Sequence, residues 1–416
     1  MKSEEESVNL SETLFNIRQQ GQAKETSALI RYMPSNQPMI AEKLQEVTWY
    51  RHLRRLQWAW QGVNPVDQER VLSKIAASSH SRTTEHLIDT VMGYHGGNWA
   101  YEWSRLGMEY QGRSNDLSGE KRADTLFNSS LCFSIAGYPH IKGDNLALQS
   151  QVLAHKTYLQ AIEATKHVVK TIEVPYKGKR IQCFLHLPHT ERPLPVVIVS
   201  GGLDSLQTDM WRLYRDYLAK EEIAMLTVDM PSIGTNNRWS LTEDASVLHQ
   251  MVLDELPQIP WVDHYKVGLL GFRFGGNVMV RLSHLEQRKL KACVTLGAPV
   301  HHIFNKPELL KSMPKMFLDV LSSRLGKEVT DIHSLVGQMQ VWSLKTQGFL
   351  SNRKTQVPTL ALSVEGDMIS PHSDNLLIAI FSDYGKAKRL KQKSLTKGYD
   401  EALKMSVKWL KEELNR

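Results

Sequence analysis

One eleven-residue stretch, from Val267 to Asn277, constrains the fold more than any other part of this chain. It reads Val-Gly-Leu-Leu-Gly-Phe-Arg-Phe-Gly-Gly-Asn, which predicts a buried strand, a sharp turn and the start of a helix. Gly271 and Gly275 flank the turn, where the strand and helix backbones approach so closely that small residues are required. The pattern therefore predicts that Arg273 stands at the apex of a strained turn.

The size and charge of the chain limit its organisation and its partners. At 416 residues it is long for one domain, so we expect two units or one domain with large additions. Its 51 Lys and Arg residues against 44 Asp and Glu residues give a mildly basic net charge of +7. No RNP-type signature, zinc-finger spacing or long Lys/Arg tract accompanies that charge, so nucleic acid is not an expected partner. Acidic proteins and small anionic metabolites fit a modest positive field.

Cysteine spacing and hydropathy predict a cytoplasmic protein. Cys132, Cys183 and Cys293 lie far apart and form no C-x-x-C pair, which is typical of free thiols in a reducing compartment. The first residues, Met-Lys-Ser-Glu-Glu-Glu-Ser, are acidic and lack the apolar core of an export signal. No apolar run approaches the length of a membrane span. We expect neither a membrane contact nor a metal site.

Residues 1–166 are predicted to form a helical N-terminal domain, since helical periodicity dominates from about Leu10 to Lys166. Four apolar residues recur at helical spacing and are expected to share one helix face: Trp49, Leu53, Leu56 and Trp60. Three arginines are expected on the opposite face: Arg51, Arg54 and Arg55. Further helices are predicted for residues 83–94, 99–108 and 145–165, the last capped by Asp144.

Residues 167–416 change to an alternation of strands and helices. A hairpin is predicted first, and the buried strands that follow are 196–200, 224–229, 267–270, 291–297 and 359–364. The helices between and after them are predicted at 210–220, 242–256, 373–381 and 400–414. This alternation indicates an α/β fold with a doubly wound, mostly parallel sheet. Residues from about 300 to 356 interrupt it with apolar residues at helical spacing, which predicts a helical cap.

Four segments in this order carry a family resemblance. They are Ser200-Gly201-Gly202-Leu203-Asp204, Val228-Asp229-Met230-Pro231-Ser232-Ile233-Gly234, the Arg273 turn and Glu365-Gly366-Asp367. Together they resemble an α/β-hydrolase. The helical N-terminal half and the G-F-R-F-G-G turn are similar, over the whole chain, to the fermentation–respiration switch protein family. That resemblance implies a carboxylesterase of the serine esterase class. It also implies a role in balancing fermentation and respiration, and binding to the glucose-specific IIA component of the sugar phosphotransferase system.

A serine esterase needs an activated hydroxyl, a base and a carboxylate that orients the base. Arg273 stands at the nucleophile position, and a guanidinium that is cationic at any cellular pH cannot attack a carbonyl. Asp367 follows a strand and a glycine, where the orienting acid is expected. The histidine is expected near residues 395–399, which read Leu-Thr-Lys-Gly-Tyr. Two of the three triad positions therefore fail, and a conventional serine mechanism is not predicted.

Other nucleophiles and bases are weaker candidates. Ser200, Ser205 and Ser232 lie on loops at the carboxyl ends of strands, where sites form, but turn or capping hydrogen bonds are their commoner role. His372 can face the same crevice as Asp367, with a surface-loop role as the alternative. The adjacent His301 and His302 lack acidic company and are weak evidence for a metal.

The anion-binding half of an esterase site is predicted to remain. The N–H groups of Phe274 and of Leu203 or Asp204, beside Gly202, would form an oxyanion hole. Arg273 adds a bidentate donor for a carboxylate, and Asp204 is a possible acid or base. The alternative is that Arg273 forms an internal salt bridge with Asp367 or Asp204. Either arrangement supplies the partner that a buried charge requires.

Three functions remain open. The first is an atypical hydrolase acting on small esters, and the second is a cofactor-independent decarboxylase of a small 2-oxo acid such as pyruvate, using Arg273 and Asp204. The third is a non-catalytic regulatory binding protein. No thiamine- or pyridoxal-binding motif is evident, so no cofactor is expected. The basic residues 386–393 are expected to form either a contact with an acidic partner or a solvated strand edge.

Overall fold

The computed structural model describes residues 49–326, 331–367, 369–391 and 395–416. The helical periodicity predicted ahead of residue 49 lies outside these ranges. The chain from residue 49 is irregular up to Arg54, and helices follow. The N-terminal helices are α1 Arg55–Gln61, α2 Pro65–Ala76, α3 Trp99–Ser114, α4 Gly119–Gly137 and α5 Asn145–Ala164. The predicted cap of α5 is confirmed, since the Asp144 carboxylate accepts a hydrogen bond from the Ala147 N–H at 3.0 Å.

The predicted helix face that begins at Trp49 is wrong. The chain is irregular up to α1, and Leu56 is 45% exposed. Arg51, expected at the surface, is fully buried: its guanidinium donates to the Tyr138 carbonyl at 2.8 Å and to the Asp89 carboxylate at 3.1 Å. An arginine whose N–H groups find such partners can be buried, and a periodicity pattern does not show those partners.

The helix predicted for residues 83–94 is also wrong. This stretch is a loop closed by an isolated β-bridge between Arg82 and Val91. The Thr90 hydroxyl donates to the Leu87 carbonyl at 2.7 Å and to the Thr84 carbonyl at 3.0 Å. Side-chain bonds of this kind offer the backbone an alternative to helix formation.

Eight strands form one mixed sheet, which confirms the predicted fold class. They are β1 Val168–Tyr176, β2 Lys179–Leu187, β3 Leu194–Ser200, β4 Ala224–Val228, β5 Val262–Phe272, β6 Ala292–Leu296, β7 Thr359–Val364 and β8 Lys386–Leu390. Their order across the sheet is β1-β2-β4-β3-β5-β6-β7-β8. Strand β2 pairs antiparallel with β1 and β4, and the strands from β4 to β8 run parallel. The β1–β2 turn uses Lys177 and Gly178 with φ of 49° and 71°, the left-handed pair that a tight hairpin needs.

Helices cover the sheet. They are a helical segment at 207–221, α6 Val247–Glu255, α7 Phe274–Leu285, α11 His372–Ile380 and α12 Leu395–Leu414. The helix predicted from residue 242 begins only at Val247. The preceding backbone is bonded to the cap instead: the Thr242 carbonyl accepts from the Trp342 indole N–H at 2.8 Å, and the Leu241 N–H donates to the Arg324 carbonyl at 2.8 Å.

The interruption after β6 is helical, with α8 Pro307–Lys311, α9 Lys315–Arg324 and α10 Ile332–Met339. Buried residues of this cap share a hydrophobic cluster with Leu203 and Phe274, so the cap packs over the ends of β3 and β5. The last N-terminal helix, α5, ends at Ala164, and β1 begins at Val168. Phe127 and Tyr158 of these helices belong to a cluster that includes Val197 of β3, so they share a core with the sheet.

Candidate functional site

The turn between β5 and α7 is the centre of the candidate site. Arg273 takes φ 52° and ψ −124°, a conformation that residues other than glycine rarely adopt. The Arg273 N–H donates to the Leu296 carbonyl of β6 at 2.9 Å, and the Gly276 N–H donates to the Arg273 carbonyl at 2.9 Å. A Cβ at Gly271 would lie 2.5 Å from the Gly275 carbonyl oxygen. The close approach inferred from the glycines is therefore present, and Arg273 stands at the apex.

The Arg273 guanidinium forms an ion pair with the Asp367 carboxylate. Asp367 follows β7, and its other oxygen accepts the N–H groups of Ile369 at 3.0 Å and Ser370 at 3.1 Å. The carboxylate is 8% exposed, whereas the Arg273 side chain is 51% exposed. Of the two alternatives left open by the sequence, internal pairing is thus the state of this structure. Half of the guanidinium side chain nevertheless remains accessible to a ligand.

The loop after β3 lies against the turn. We call residues 202–204 the oxyanion loop. A Cβ on Gly202 would lie 3.4 Å from the Arg273 Cβ and 3.2 Å from Asp204 Oδ1, so both candidate residues border this glycine. The Gly202 N–H is already bonded to Ser205 Oγ at 3.0 Å. Phe274 contributes the first N–H of α7, a group without an acceptor inside its own helix. Arg273 and Asp204 of the predicted anion-binding set therefore both lie next to Gly202.

Asp204 pairs with Arg54, and not with Arg273. Arg54 comes from the irregular segment ahead of α1, and the two side chains are 17% and 8% exposed. The pKa of Arg54 is raised: burial is the largest single effect and opposes the charged form, but the Asp204 and Tyr138 charges and the hydrogen bond to Asp204 together outweigh it. The N-terminal layer thus places a second guanidinium at the oxyanion loop.

Arg324, at the end of α9, holds the oxyanion loop from the cap side. It is fully buried and donates to the Leu203 carbonyl at 2.7 Å. It also donates to three further carbonyls, those of His140 at 2.9 Å, Pro139 at 3.0 Å and Ser232 at 3.1 Å. Burial lowers the pKa of Arg324 to about 10, so it remains a cation at neutral pH. One side chain therefore ties together the cap, the oxyanion loop, the loop after β4 and the N-terminal layer.

A small polar cavity lies between the N-terminal layer and the oxyanion loop. We call it the polar chamber, and its volume is about 20 Å³, enough for one water molecule. Its lining includes Arg54, Tyr138, His140, Asp204, Ser205 and Asp209. Within the described residues, Tyr138 Oη and His140 Nδ1 are buried without a hydrogen-bond partner. Burial lowers the pKa of His140 to about 3 and raises that of Asp209 to about 7.

An open depression of about 370 Å³ lies on the other side of Asp367. His372 lines it together with Asp367, as the sequence allowed, and begins α11 with its Nδ1 3.2 Å from Ser363 Oγ. His302 and Arg389 also border it. His372 therefore faces the same crevice as Asp367 but does not stand between Asp367 and Arg273, which contact each other directly.

Of the remaining candidates, Ser200, Ser205 and His301 have structural partners. Ser232 Oγ, in contrast, is buried without a hydrogen-bond partner in the described part of the chain. Ser200 Oγ donates to Met230 Sδ at 3.3 Å, and Ser205 Oγ accepts the Gly202 N–H. His301 Nδ1 lies 2.8 Å from Ser343 Oγ. In the described part of the chain no group of three or more His, Cys, Asp or Glu side chains is arranged to hold a metal ion. Nor does any described helix combine the length and apolarity needed to cross a bilayer.

Sequence reasoning missed the residues that the N-terminal layer and the cap bring to the site. Arg54 was expected on the helix face opposite the apolar residues, and Arg324, Tyr138, His140 and Asp209 were not considered. No spacing pattern links residues 54, 138 and 324 to residue 203. The one available signal was the unusual number of aromatic residues and arginines around residues 49–60, which is typical of a segment that packs against something.

Comparisons with known proteins agree on the family. Residues 5–415 match the family model described as esterase FrsA-like. The chain is 62% identical over 416 residues to an esterase FrsA of Vibrio parahaemolyticus serotype O3:K6, covering 100% of both chains. It is 57% identical over 414 residues to an esterase FrsA of Vibrio cholerae serotype O1, covering 99% of both. Among solved structures, 2,6-dihydroxy-pseudo-oxynicotine hydrolase matches with a TM-score of 0.69 and 18% identity, over 86% of this chain and 95% of that one, which shows the fold.

Proposed function

The chain belongs to the FrsA-like esterase family, and we propose that it uses the esterase fold to bind small carboxylates at Arg273, without forming an acyl-enzyme there. The observation that carries this proposal is the ion pair at the apex of the turn. A guanidinium at this position contacts the carboxylate of Asp367, where a serine would contact a base. The chemistry of the position is therefore recognition of negative charge.

Asp367 acts in this proposal as an internal stand-in for a ligand carboxylate. A ligand that binds Arg273 must compete with it, which predicts weak binding in the wild type. The half-exposed guanidinium has donors left for a second acceptor, because a guanidinium carries five N–H groups. The neighbouring Phe274 N–H and the amino-terminal end of α7 add to the attraction for an anion.

Acetate titration followed by calorimetry tests this proposal. Arg273→Gln should weaken acetate binding about 10-fold, the loss of one charge-assisted interaction in a partly solvated place. Asp367→Asn keeps the acceptor for the N–H groups of Ile369 and Ser370 but removes the charge that competes for Arg273, so it should tighten binding. Arg180→Gln is the matched control, because Arg180 is also an exposed arginine paired with a carboxylate, that of Glu173, at 2.7 Å.

The same affinity in wild type and Arg273→Gln would refute the proposal. A fluorophosphonate probe separates it from a serine esterase that acts through another residue. We expect no stoichiometric labelling of the wild-type chain. A labelled serine, located by peptide mass spectrometry, would instead restore the hydrolase hypothesis with a nucleophile outside the turn.

The decarboxylase remains a second candidate, because Asp204 and Arg273 both border Gly202, as that hypothesis requires. Two features oppose it: Arg54 neutralises Asp204, and an arginine that holds the carboxylate stabilises the ground state. If the decarboxylase hypothesis is right, purified protein given pyruvate releases carbon dioxide and Arg273→Ala abolishes the release. No release above the buffer rate excludes this activity.

We further propose the phosphotransferase IIA component as the protein partner, through which the chain would balance fermentation and respiration in the cytoplasm. Three buried free cysteines fit a reducing compartment. The basic segment supplies a surface: β8 pairs with β7 at one end of the sheet and exposes Lys386, Lys388 and Arg389. A pull-down should weaken as salt rises, and Lys386→Glu with Lys388→Glu should abolish it. Binding that is unaffected by both changes would move the partner surface elsewhere.

A further inference from the structure

We propose that Arg54 is a second carboxylate-binding residue, supplied by the N-terminal layer, and that Asp204 occupies it as an internal gate over the polar chamber. A small carboxylate would then enter the chamber by replacing Asp204 as the partner of Arg54. Arg54 and the polar chamber are distinct from Arg273 and its turn, so each proposal can be refuted without the other.

The Arg54–Asp204 pair forms part of the chamber wall in this structure. It joins residues 150 positions apart, and the cavity behind it has room for one water molecule. Arg54 still reaches solvent through the 17% of its side chain that is exposed, and its guanidinium lies 5.1 Å from the centre of the Tyr138 ring. The proposed gate requires only that the Arg54 side chain rotate away from Asp204. The backbone next to Arg54 is anchored by the buried Arg51–Asp89 pair.

The chamber contains polar groups that the protein itself leaves without partners. Tyr138 is 3% exposed and His140 is 2% exposed, and neither Tyr138 Oη nor His140 Nδ1 has a hydrogen-bond partner among the described residues. Buried polar groups without a partner are unfavourable unless a bound group supplies one. A hydroxyl donor beside a guanidinium matches the two oxygens of a carboxylate. The residues that line the chamber therefore favour a small carboxylate as the ligand.

The oxyanion loop does not depend on Arg54 for its position. Arg324 holds the Leu203 carbonyl at 2.7 Å from the cap side, and Ser205 Oγ accepts the Gly202 N–H at 3.0 Å. The loop should thus keep its shape when Arg54 leaves Asp204. This is the condition for a gate, as opposed to a bond that merely holds the fold together.

The test uses the full chain in an Arg273→Gln background, so that binding at the turn does not contribute. Asp204→Asn removes the charge that competes for Arg54 and should tighten acetate and formate binding about 10-fold. Adding Arg54→Gln leaves a neutral pair of similar shape and should abolish the gain. Arg55→Gln is the matched control, because Arg55 is the adjacent arginine, paired with Glu69 at the surface at 2.8 Å. Chloride at equal ionic strength controls for charge screening.

Two results would overturn the inference. In the first, Asp204→Asn leaves carboxylate affinity unchanged. In the second, the variant that also carries Arg54→Gln binds as tightly as Asp204→Asn alone. If Arg54→Gln alone fails to fold, the neutral Arg54→Gln/Asp204→Asn pair still gives the comparison, since no unpaired charge is buried in it. The Arg273 proposal is refuted by a different result, namely equal acetate affinity in wild type and Arg273→Gln.

Discussion

Replacing Arg324 by methionine tests whether one buried cation joins the layers around the oxyanion loop. The wild-type guanidinium donates to the carbonyls of Leu203, Pro139, His140 and Ser232 at 2.7 to 3.1 Å. Methionine fills much of the volume and donates nothing, so four buried acceptors lose their donor. The variant isolates these hydrogen bonds, because no carboxylate bonds Arg324 in the described contacts.

The magnitude follows from two opposing effects. Each buried carbonyl left unpaired costs about 1–3 kcal/mol, which gives about 8 kcal/mol for four at the middle of that range. Removing the buried charge recovers about 3 kcal/mol, because burial lowers the pKa of Arg324 to about 10 and one pKa unit is worth about 1.4 kcal/mol. The net loss is about 5 kcal/mol. For a chain of this length, at about 2.1 cal/mol/K per residue, that lowers Tm by about 6 °C.

Differential scanning calorimetry measures the shift. Arg324→Lys keeps the positive charge but has only three N–H donors, at the end of a flexible side chain. The Tm of this variant should therefore lie between those of wild type and Arg324→Met. Arg180→Met, at an exposed pair, should change Tm by less than about 1 °C. A Tm for Arg324→Met within about 1 °C of wild type would refute the reasoning, because it would mean that the four carbonyls find other donors at little cost.

Three further outcomes are expected. Arg273→Ser should restore the serine but not labelling by a fluorophosphonate, since no base contacts position 273; rapid stoichiometric labelling would show an unrecognised base. Asp209→Asn should stabilise the protein by about 2 kcal/mol at pH 8, measured by urea denaturation. Burial raises the pKa of Asp209 to about 7, and a one-unit shift is worth about 1.4 kcal/mol, but the variant also weakens the hydrogen bond that the carboxylate accepts from the Leu206 N–H at 3.0 Å. The pKa of Asp209 is raised to about 7 in the folded chain. The free energy of unfolding of the wild type should therefore decrease as the pH rises from about 4 to about 7, and the variant should lack this decrease. Arg51→Met should cost about 3 kcal/mol in the same assay, because it strands the buried Asp89 carboxylate, and an unchanged denaturation midpoint would contradict this.

The pH dependence of Asp209 has identifiable neighbours. Burial has the largest effect and raises its pKa, and the nearby Asp229 charge adds to the increase. Ser134 and the Leu206 N–H act in the opposite direction, as does the Arg54 charge. His140, on the same chamber, stays neutral because burial and the charges of Arg324 and Arg54 lower its pKa to about 3. Asp209 is therefore the chamber group whose charge changes near neutral pH.

The sheet could be predicted from the sequence because its signals are local. Buried parallel strands appear as short apolar runs, and the glycines around Arg273 report a crowding that only small residues tolerate. The α5 cap was predictable for the same reason, since Asp144 and Ala147 are three residues apart. The position of Asp367 after β7 follows from the order of the strands.

The closure of the site could not be predicted, because its contacts join distant parts of the chain. Arg54 meets Asp204 across 150 positions, and Arg324 meets Leu203 across 121. The helical spacing that begins at Trp49 favoured a surface helix, yet Arg51 is buried because Asp89 and Tyr138 satisfy it. Arginines whose partners are backbone carbonyls leave no pattern in the sequence.

The most direct measurement of the central claim is the ¹⁵N NMR signal of the Arg273 guanidinium in arginine-labelled protein, assigned by its loss in Arg273→Gln. Acetate should shift this signal along a saturable curve as the ligand replaces Asp367, and the Arg180 signal should stay in place. A signal that does not move while acetate binds would contradict the account, since the anion would then be recognised elsewhere.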